Sequence, residues 1–213
     1  MKQILTEAKA EHFLSRFKLP IAQSQLVQNQ EQALQYAKKI GYPVVLKLIS
    51  KEVLHKTEAH GVRVADDQFS LIREFDSLLK VAKRLGVKLD GILVQEHVPG
   101  REVIIGIKKD PIFGHVIMFG LGGIFVEILK DVTFRVCPID DKDIESMISD
   151  LKAKQVLYGV RGEKPINFKL LKNTLSIISK IPKKNPNIEE LDINPMILNE
   201  KSGKIADARI ILS

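Results

Sequence analysis

Three groups of residues in this chain have the types and spacing that phosphate chemistry requires. Lys47 lies in an apolar run that reads as a strand, Gly41-Tyr42-Pro43-Val44-Val45-Leu46-Lys47-Leu48-Ile49, and the segment from Ser50 to Val62 that follows carries His55 and His60. Side chains alternate along a strand, so Lys47 shares one face with Val45 and Ile49. A lysine in that company either snorkels to solvent or meets an anion. The second group is Asp192 and Asn194, two apart on one expected strand and so on one face, with Asp207 on the partner strand. A turn centred between Glu200 and Lys201 puts Asn194 opposite Asp207. A turn shifted by one residue leaves them diagonal neighbours, still within reach of a shared ion. Oxygen donors of this kind suit Mg²⁺, which takes one or two protein oxygens and completes its shell with water and nucleotide phosphates. The alternative is an Asx-Pro turn at Asn194-Pro195 among solvated acids. The third group, Gly120-Leu121-Gly122-Gly123, permits close approach of the backbone to a phosphate, or serves as a tight turn between strands.

Several function classes find no support. The Gly-x4-Gly-Lys-Ser/Thr pattern is missing, as is Gly-x-Gly-x-x-Gly after a strand, which removes Walker-type and dinucleotide-type binding. A net charge of +7 and a pI near 9.4 raise nucleic acid as a partner. The basic residues are spread along the chain and mixed with acids, without interleaved aromatics, so no nucleic-acid partner is expected. With 45% hydrophobic and 28% charged residues, and no apolar run near the roughly 20 residues a span needs, no membrane association is expected either. The first residues turn charged at once, unlike a signal peptide, and the expected location is cytoplasmic. Cys137 is the only cysteine, which excludes an intrachain disulfide.

The elements that must position these residues follow from periodicity and punctuation. A helix is expected from Thr6, as N-cap, to about Lys18, with Ala10, Phe13, Leu14 and Phe17 as its apolar stripe and Pro20 beyond its end. A strand over Ile21 to Val27, a helix over Gln30 to Ile40 capped by Gly41, and the Lys47 strand form a strand-helix-strand unit. Further expectations are a strand at Gly61 to Ala65, an amphipathic helix over Gln68 to Leu85 ending at Gly86, and a strand at Gly91 to Val98. After the turn signal Pro99-Gly100, strands at Glu102 to Ile107, Phe113 to Phe119 and Thr133 to Pro138 come without helices between them and imply an antiparallel sheet. Helices return at Asp141 to Lys152 and Phe168 to Ile181. Strands Leu191 to Leu198 and Lys204 to Leu212 are joined by a hairpin-like link, Asn199 to Gly203.

The stretches Tyr42-Pro43-Val44-Val45-Leu46-Lys47, Leu54-His55-Lys56-Thr57-Glu58, Phe119-Gly120-Leu121-Gly122-Gly123-Ile124-Phe125-Val126-Glu127, Arg161-Gly162-Glu163-Lys164-Pro165 and Glu190-Leu191-Asp192-Ile193-Asn194-Pro195 carry a family resemblance, in order, along the whole chain. It resembles the β subunit of the ADP-forming acyl-CoA synthetases and, more distantly, the ATP-grasp part of the succinyl-CoA synthetase β subunit. The resemblance implies an α+β ATP-grasp fold over residues 1–213, with lobes near 20–98 and 99–213, the helix of residues 1–19 packing on the second, and a nucleotide held between them. It implies that Lys47 contacts phosphate, that Glu96 and Val98 in the hinge strand hold the adenine partly through backbone groups, and that Glu102 binds nucleotide. Asn194 and Asp207 match magnesium ligands, and His55 matches a histidine that carries phosphate to the nucleotide.

That assignment is chemically coherent, because imidazole is a good nucleophile near neutral pH and phosphohistidine is reactive enough to phosphorylate ADP. The implied cofactors are Mg²⁺ and ATP/ADP, and the implied net reaction is acyl-CoA + ADP + phosphate ⇌ carboxylic acid + ATP + CoA. The resemblance also implies an α subunit carrying the CoA-binding and primary phosphohistidine domains, in an α2β2 heterotetramer. A nucleotide-binding regulatory or scaffold subunit is the alternative, and joint retention of Lys47, His55, Asn194 and Asp207 favours the enzyme. One departure stands out: relatives usually show Ala-Gly-Gly-Val where this chain has Ala59-His60-Gly61-Val62. His60 either assists phosphate transfer or lies in solvent.

Overall fold

The computed structural model describes residues 2–50, 52, 60–123, 130–160 and 162–213. The chain divides into two compact units, Met1–Ile21 with Val98–Ser213, and Ala22–His97. The larger unit opens with β1 (Gln3–Leu5) and α1 (Glu7–Ser15). The chain then builds the smaller unit from β2 (Ser24–Val27), α2 (Gln30–Ile40), β3 (Val44–Ile49), β4 (Val62–Ala65), α3 (Gln68–Leu85) and β5 (Gly91–Glu96). It returns to the larger unit with β6 (Arg101–Asp110), β7 (Gly114–Leu121), β8 (Val132–Val136), α4 (Asp141–Asp150), α5 (Gln155–Tyr158), α6 (Phe168–Lys184), β9 (Ile188–Leu198), β10 (Gly203–Ile205) and β11 (Ala208–Leu212).

The smaller unit is a sheet of order β2-β5-β3-β4 with antiparallel neighbours throughout, covered on one face by α2 and α3. The strand-helix-strand unit therefore closes with β5 inserted between its two strands. Local chemistry sets the helix ends. Asn29 accepts the Gln32 N–H at 2.9 Å to start α2, and Gly41 ends it at φ 88°. Asp67 and Ser70 form a reciprocal capping box at the start of α3, and Gly86 closes that helix in the left-handed region. Leu71, Phe75, Leu78, Val81 and Ala82 form the buried stripe of α3 and pack with Val44, Leu46, Leu48, Ile92 and Val94 of the sheet. Each large side chain so buried contributes roughly 1.5–3 kcal/mol.

The larger unit holds a seven-stranded antiparallel sheet of order β1-β11-β9-β6-β7-β8, with β10 also on β9. Val103, Ile105, Ile107, Ile117 and Phe119 on one face pack with Ile144 and Met147 of α4 and Leu171, Leu175 and Ile178 of α6. By alternation Glu102 and Asp192 take the other face. Among the described residues no helix is long and apolar enough to cross a membrane.

Several elements differ from the sequence reading. Thr6 occupies the N-cap position of α1, but its hydroxyl makes no capping hydrogen bond. The helix ends at Ser15, before the expected Lys18. β1 was not anticipated; three residues are too few for a periodic signal, and they become a strand by pairing Gln3 with Leu212 and Leu5 with Ile210. α5 was not anticipated either, since four residues are too few for a periodic signal. α6 runs past Pro182 to Lys184, its last turn closed by the Asn185 N–H shared between the carbonyls of Ile181 and Pro182. The expected strand Lys204 to Leu212 is interrupted at Ala206 and Asp207.

Candidate functional site

Lys47 lies in β3, paired with Val62 of β4 on one side and Leu93 of β5 on the other. It faces away from the packed core formed by Val44, Leu46 and Leu48, and it is only 6% exposed. That burial does not fit a lysine spilling from a strand end into solvent. An ammonium held among Val45, Leu93 and the buried Gln95 is stable only where a counter-group or an anionic ligand meets it.

Glu96 ends β5. Its N–H donates to the Gln23 carbonyl at 2.9 Å, and its carboxylate accepts the Gln23 N–H at 2.6 Å. The Gln23 donor thus goes to the side chain of Glu96 rather than to its main-chain carbonyl. Burial, and then the Glu96 charge, raise the nearby Tyr36 phenol above its ordinary value, keeping it a neutral donor. Val98, half-buried, begins the return to the larger unit.

Glu102 is exposed on β6, opposite Ile197 of β9. The glycine run rests against it. Gly122 donates its N–H to the Glu102 carbonyl at 2.8 Å, and a Cβ at position 122 would lie 2.7 Å from the Glu102 Cβ. Gly122 is therefore required by space, while Gly123, at φ 60°, is required by conformation. Arg101, next along β6, binds the Glu163 carboxylate at 2.8 Å and the Lys164 carbonyl at 2.9 Å. This clamp on the Gly162-Glu163-Lys164 stretch joins residues 62 apart in sequence. Sequence reasoning missed it, since nothing but opposite charge marks the pair.

Asn194 and Asp207 stand side by side. Ile193 pairs with Ala208 and Met196 with Ile205, so the register runs unshifted through the interruption, and the Asn194 N–H donates to the Asp207 carbonyl at 3.2 Å. This is the register of a turn centred between Glu200 and Lys201. Towards β6 the register shifts by one: Val103 faces Met196 and Ile105 faces Ile193, leaving Ile104 opposite both Asn194 and Pro195. The result is a bulge, a device that re-aims side chains beside functional sites. Burial follows it: Leu191 and Ile193 point to the core before the bulge, Met196 and Leu198 after it, and Asn194 between them is exposed. Asp192 faces Arg209 across the strands. Burial raises its carboxyl above the ordinary range, with Asp207 and Glu190 adding to the effect and Arg209 opposing it.

Among the described residues no cluster of three His, Cys, Asp or Glu groups can enclose a metal. Asn194 and Asp207, at facing positions of the closing strands, bring two oxygen-bearing side chains of the kind that suit Mg²⁺, an ion that draws most of its shell from water and phosphate. His55 lies outside the described residues, as do 124–129 and Arg161. His60 is described, exposed, with φ 55°. His115 is structural, a ring nitrogen meeting the Ile188 carbonyl at 2.8 Å.

Residues 1–212 match the family described as the ATP-grasp domain. The chain is 41% identical over 212 residues to the β subunit of the ADP-forming acetate–CoA ligase I of Pyrococcus furiosus, covering 98% of this chain and 91% of that one. It is also 41% identical to the ADP-forming 4-hydroxybutyrate–CoA ligase of Nitrosopumilus maritimus, covering 97% of this chain but only 30% of that protein's length. Acetyl-coenzyme A synthetase 1 of Ca. Korarchaeum cryptofilum, solved with coenzyme A and Ca-AMPCP, superimposes with a TM-score of 0.93 at 40% identity over 99% of this chain and 94% of that one. The same protein with coenzyme A and Mg-AMPPCP, its phosphohistidine segment pointing towards the nucleotide binding site, gives 0.84 at 39% identity over 99% and 93%. The two antiparallel sheets, the mixed α+β content and these likenesses agree: the chain has the ATP-grasp fold and belongs to the ATP-grasp domain family, with the β subunits of ADP-forming acetate–CoA ligases.

Proposed function

We propose that this chain is the nucleotide-binding β subunit of an ADP-forming acyl-CoA synthetase, catalysing the phosphoryl-transfer end of acyl-CoA + ADP + phosphate ⇌ acid + ATP + CoA. The observation that carries the reading is the matched pair Asn194 and Asp207, set at a bulge on the larger sheet beside Asp192. Lys47, buried and cationic, is assigned to the nucleotide phosphates. Glu96 and Val98 hold the adenine through the main chain, and Glu102, held against Gly122, completes the nucleotide contacts. Asn194 and Asp207 would hold magnesium, which offsets charge on the phosphoryl group when bound. His55 accepts a phosphoryl group on a ring nitrogen and passes it to a β-phosphate oxygen of ADP; the N–P bond breaks as the O–P bond forms, and the imidazole is returned.

The acyl-phosphate half of the reaction falls to a partner α subunit, in an α2β2 assembly in the cytoplasm, with the two units as lobes of one ATP-grasp domain. The relative from Pyrococcus furiosus, itself a subunit β, supports the need for a partner, and this chain spans only 30% of the length of the Nitrosopumilus relative. Titration calorimetry with ADP and magnesium tests the reading on this chain alone. Saturable MgADP binding is expected, at least about tenfold weaker in Lys47→Ala. No binding, or binding indifferent to Lys47, contradicts it.

A further inference from the structure

The smaller unit contains a second basic feature, on the opposite face of its sheet from Lys47. β4 is an edge strand of the sheet, and α3 overhangs it. In that overhang lies a cavity of about 270 Å³ lined by His60, Arg63, Ser77, Lys80, Val81 and Arg84. Ser77, Lys80, Val81 and Arg84 follow one another at helical spacing along α3, so a single face of the helix supplies a hydroxyl, an ammonium, an apolar floor and a guanidinium. Arg63 enters from the strand, held by a hydrogen bond to the Val62 carbonyl at 2.9 Å and by Glu74 at 3.5 Å. Glu74 also pairs with Arg73 at 2.9 Å, so its single charge is divided. Among the described residues Lys80 and Arg84 have no acidic partner. Like charges four apart on a helix repel, and the Arg63 guanidinium lines the same cavity. His60 adopts φ 55°, a conformation uncommon for any residue with a side chain.

We propose that this cavity is a binding site for a phosphate-class oxyanion. Guanidinium forks and an ammonium make charge-assisted hydrogen bonds to the oxygens of such an anion, the Ser77 hydroxyl and the His60 ring add further donors, and the ligand relieves the repulsion among the cations. Free phosphate and a phosphomonoester on a larger molecule present the same chemistry.

The test follows the arginine Nε–Hε signals of Arg63 and Arg84 in the ¹⁵N-labelled full chain, titrated at constant ionic strength with orthophosphate, with AMP, or with chloride. Saturable shifts with orthophosphate identify free phosphate as a ligand, and saturable shifts with AMP identify a phosphoryl group carried on a larger molecule; either supports the site. The double variant Lys80→Gln, Arg84→Gln, followed at Arg63, is expected to bind at least about tenfold more weakly. Arg84→Lys is expected to retain binding, and Lys47→Ala to bind as the unaltered chain does, which separates this site from the nucleotide site. Shifts reproduced by chloride, surviving in the double variant, or vanishing in Lys47→Ala overturn the proposal.

Discussion

At the scale of single residues, the smaller unit places a charge where a sheet ordinarily places a hydrocarbon. Lys47 occupies a central-strand position at 6% exposure. Lys47→Ala is predicted to reduce ATP formation in the reconstituted enzyme by about 10²–10³-fold, the scale seen when one electrostatic stabiliser is removed from a transition state. Lys47→Arg is predicted to rescue it poorly, since a planar fork does not fit a slot shaped for a point charge. Asp207→Ala is expected to act differently. Losing one of two protein oxygens raises the magnesium concentration needed for half-maximal rate while leaving ADP affinity without metal unchanged, which a magnesium titration at fixed ADP reads directly. Cys137 has no part in this chemistry, because burial pushes its thiol up to about 12 and keeps it protonated. The sequence showed these positions well, since strand alternation alone put Lys47 with Val45 and Ile49, and Asn194 with Asp192. It did not show the bulge that exposes Asn194, because a bulge depends on the neighbouring strand as much as on its own residues.

At the scale of elements, the backbone around Glu102 and the helix caps carry the sharpest expectations. Gly122→Ala puts a methyl carbon 2.7 Å from the Glu102 Cβ and 3.1 Å from its carbonyl carbon, so β6 and the turn after β7 must move apart. A loss of about 1–3 kcal/mol in urea unfolding is predicted, together with a raised KM for ADP. Asp131, 3% exposed, accepts the N–H groups of Lys152 and Ala153 at 2.8 Å each, and so joins the start of β8 to the turn after α4. Asp131→Ala leaves two part-buried N–H donors without their acceptor and is predicted to cost about 1–3 kcal/mol. The cap of α3 gives a pH signature. Hydrogen bonds from Ser70 hold the Asp67 carboxyl below its ordinary value, so its contribution is complete above the unfolded carboxylate pKa of about 4 and is lost as pH falls through the lower folded value. Melting curves should show Asp67→Ala less stable than the unaltered chain at neutral pH, with the gap closing in acid. The C-cap of α3 was legible, Gly86 from its place after the apolar stripe, whereas the Asp67–Ser70 capping box was not anticipated. β1 was not, since only its pairing with the distant β11 makes Gln3–Leu5 a strand.

At the scale of the whole molecule, each of the two units carries part of the proposed chemistry: Lys47 and the His55-bearing stretch in one, Glu102, Asn194 and Asp207 in the other. The sequence led to the expectation of a lobe boundary near residue 98, because the antiparallel run begins after Pro99-Gly100. The closing hairpin brings Asp207 back to Asn194 from 13 positions away. What sequence order did not supply is the role of long-range ties such as Arg101 to Glu163, which follow from packing rather than from any local pattern. Phosphate is proposed to reach ADP by way of His55. That route is tested most directly by combining the chain with its α subunit and measuring ATP formed from ADP, phosphate and acetyl-CoA, before and after His55→Ala. A fall of at least about 10³-fold is expected, because the group that carries the covalent intermediate is removed. Equal rates with and without the imidazole would contradict it.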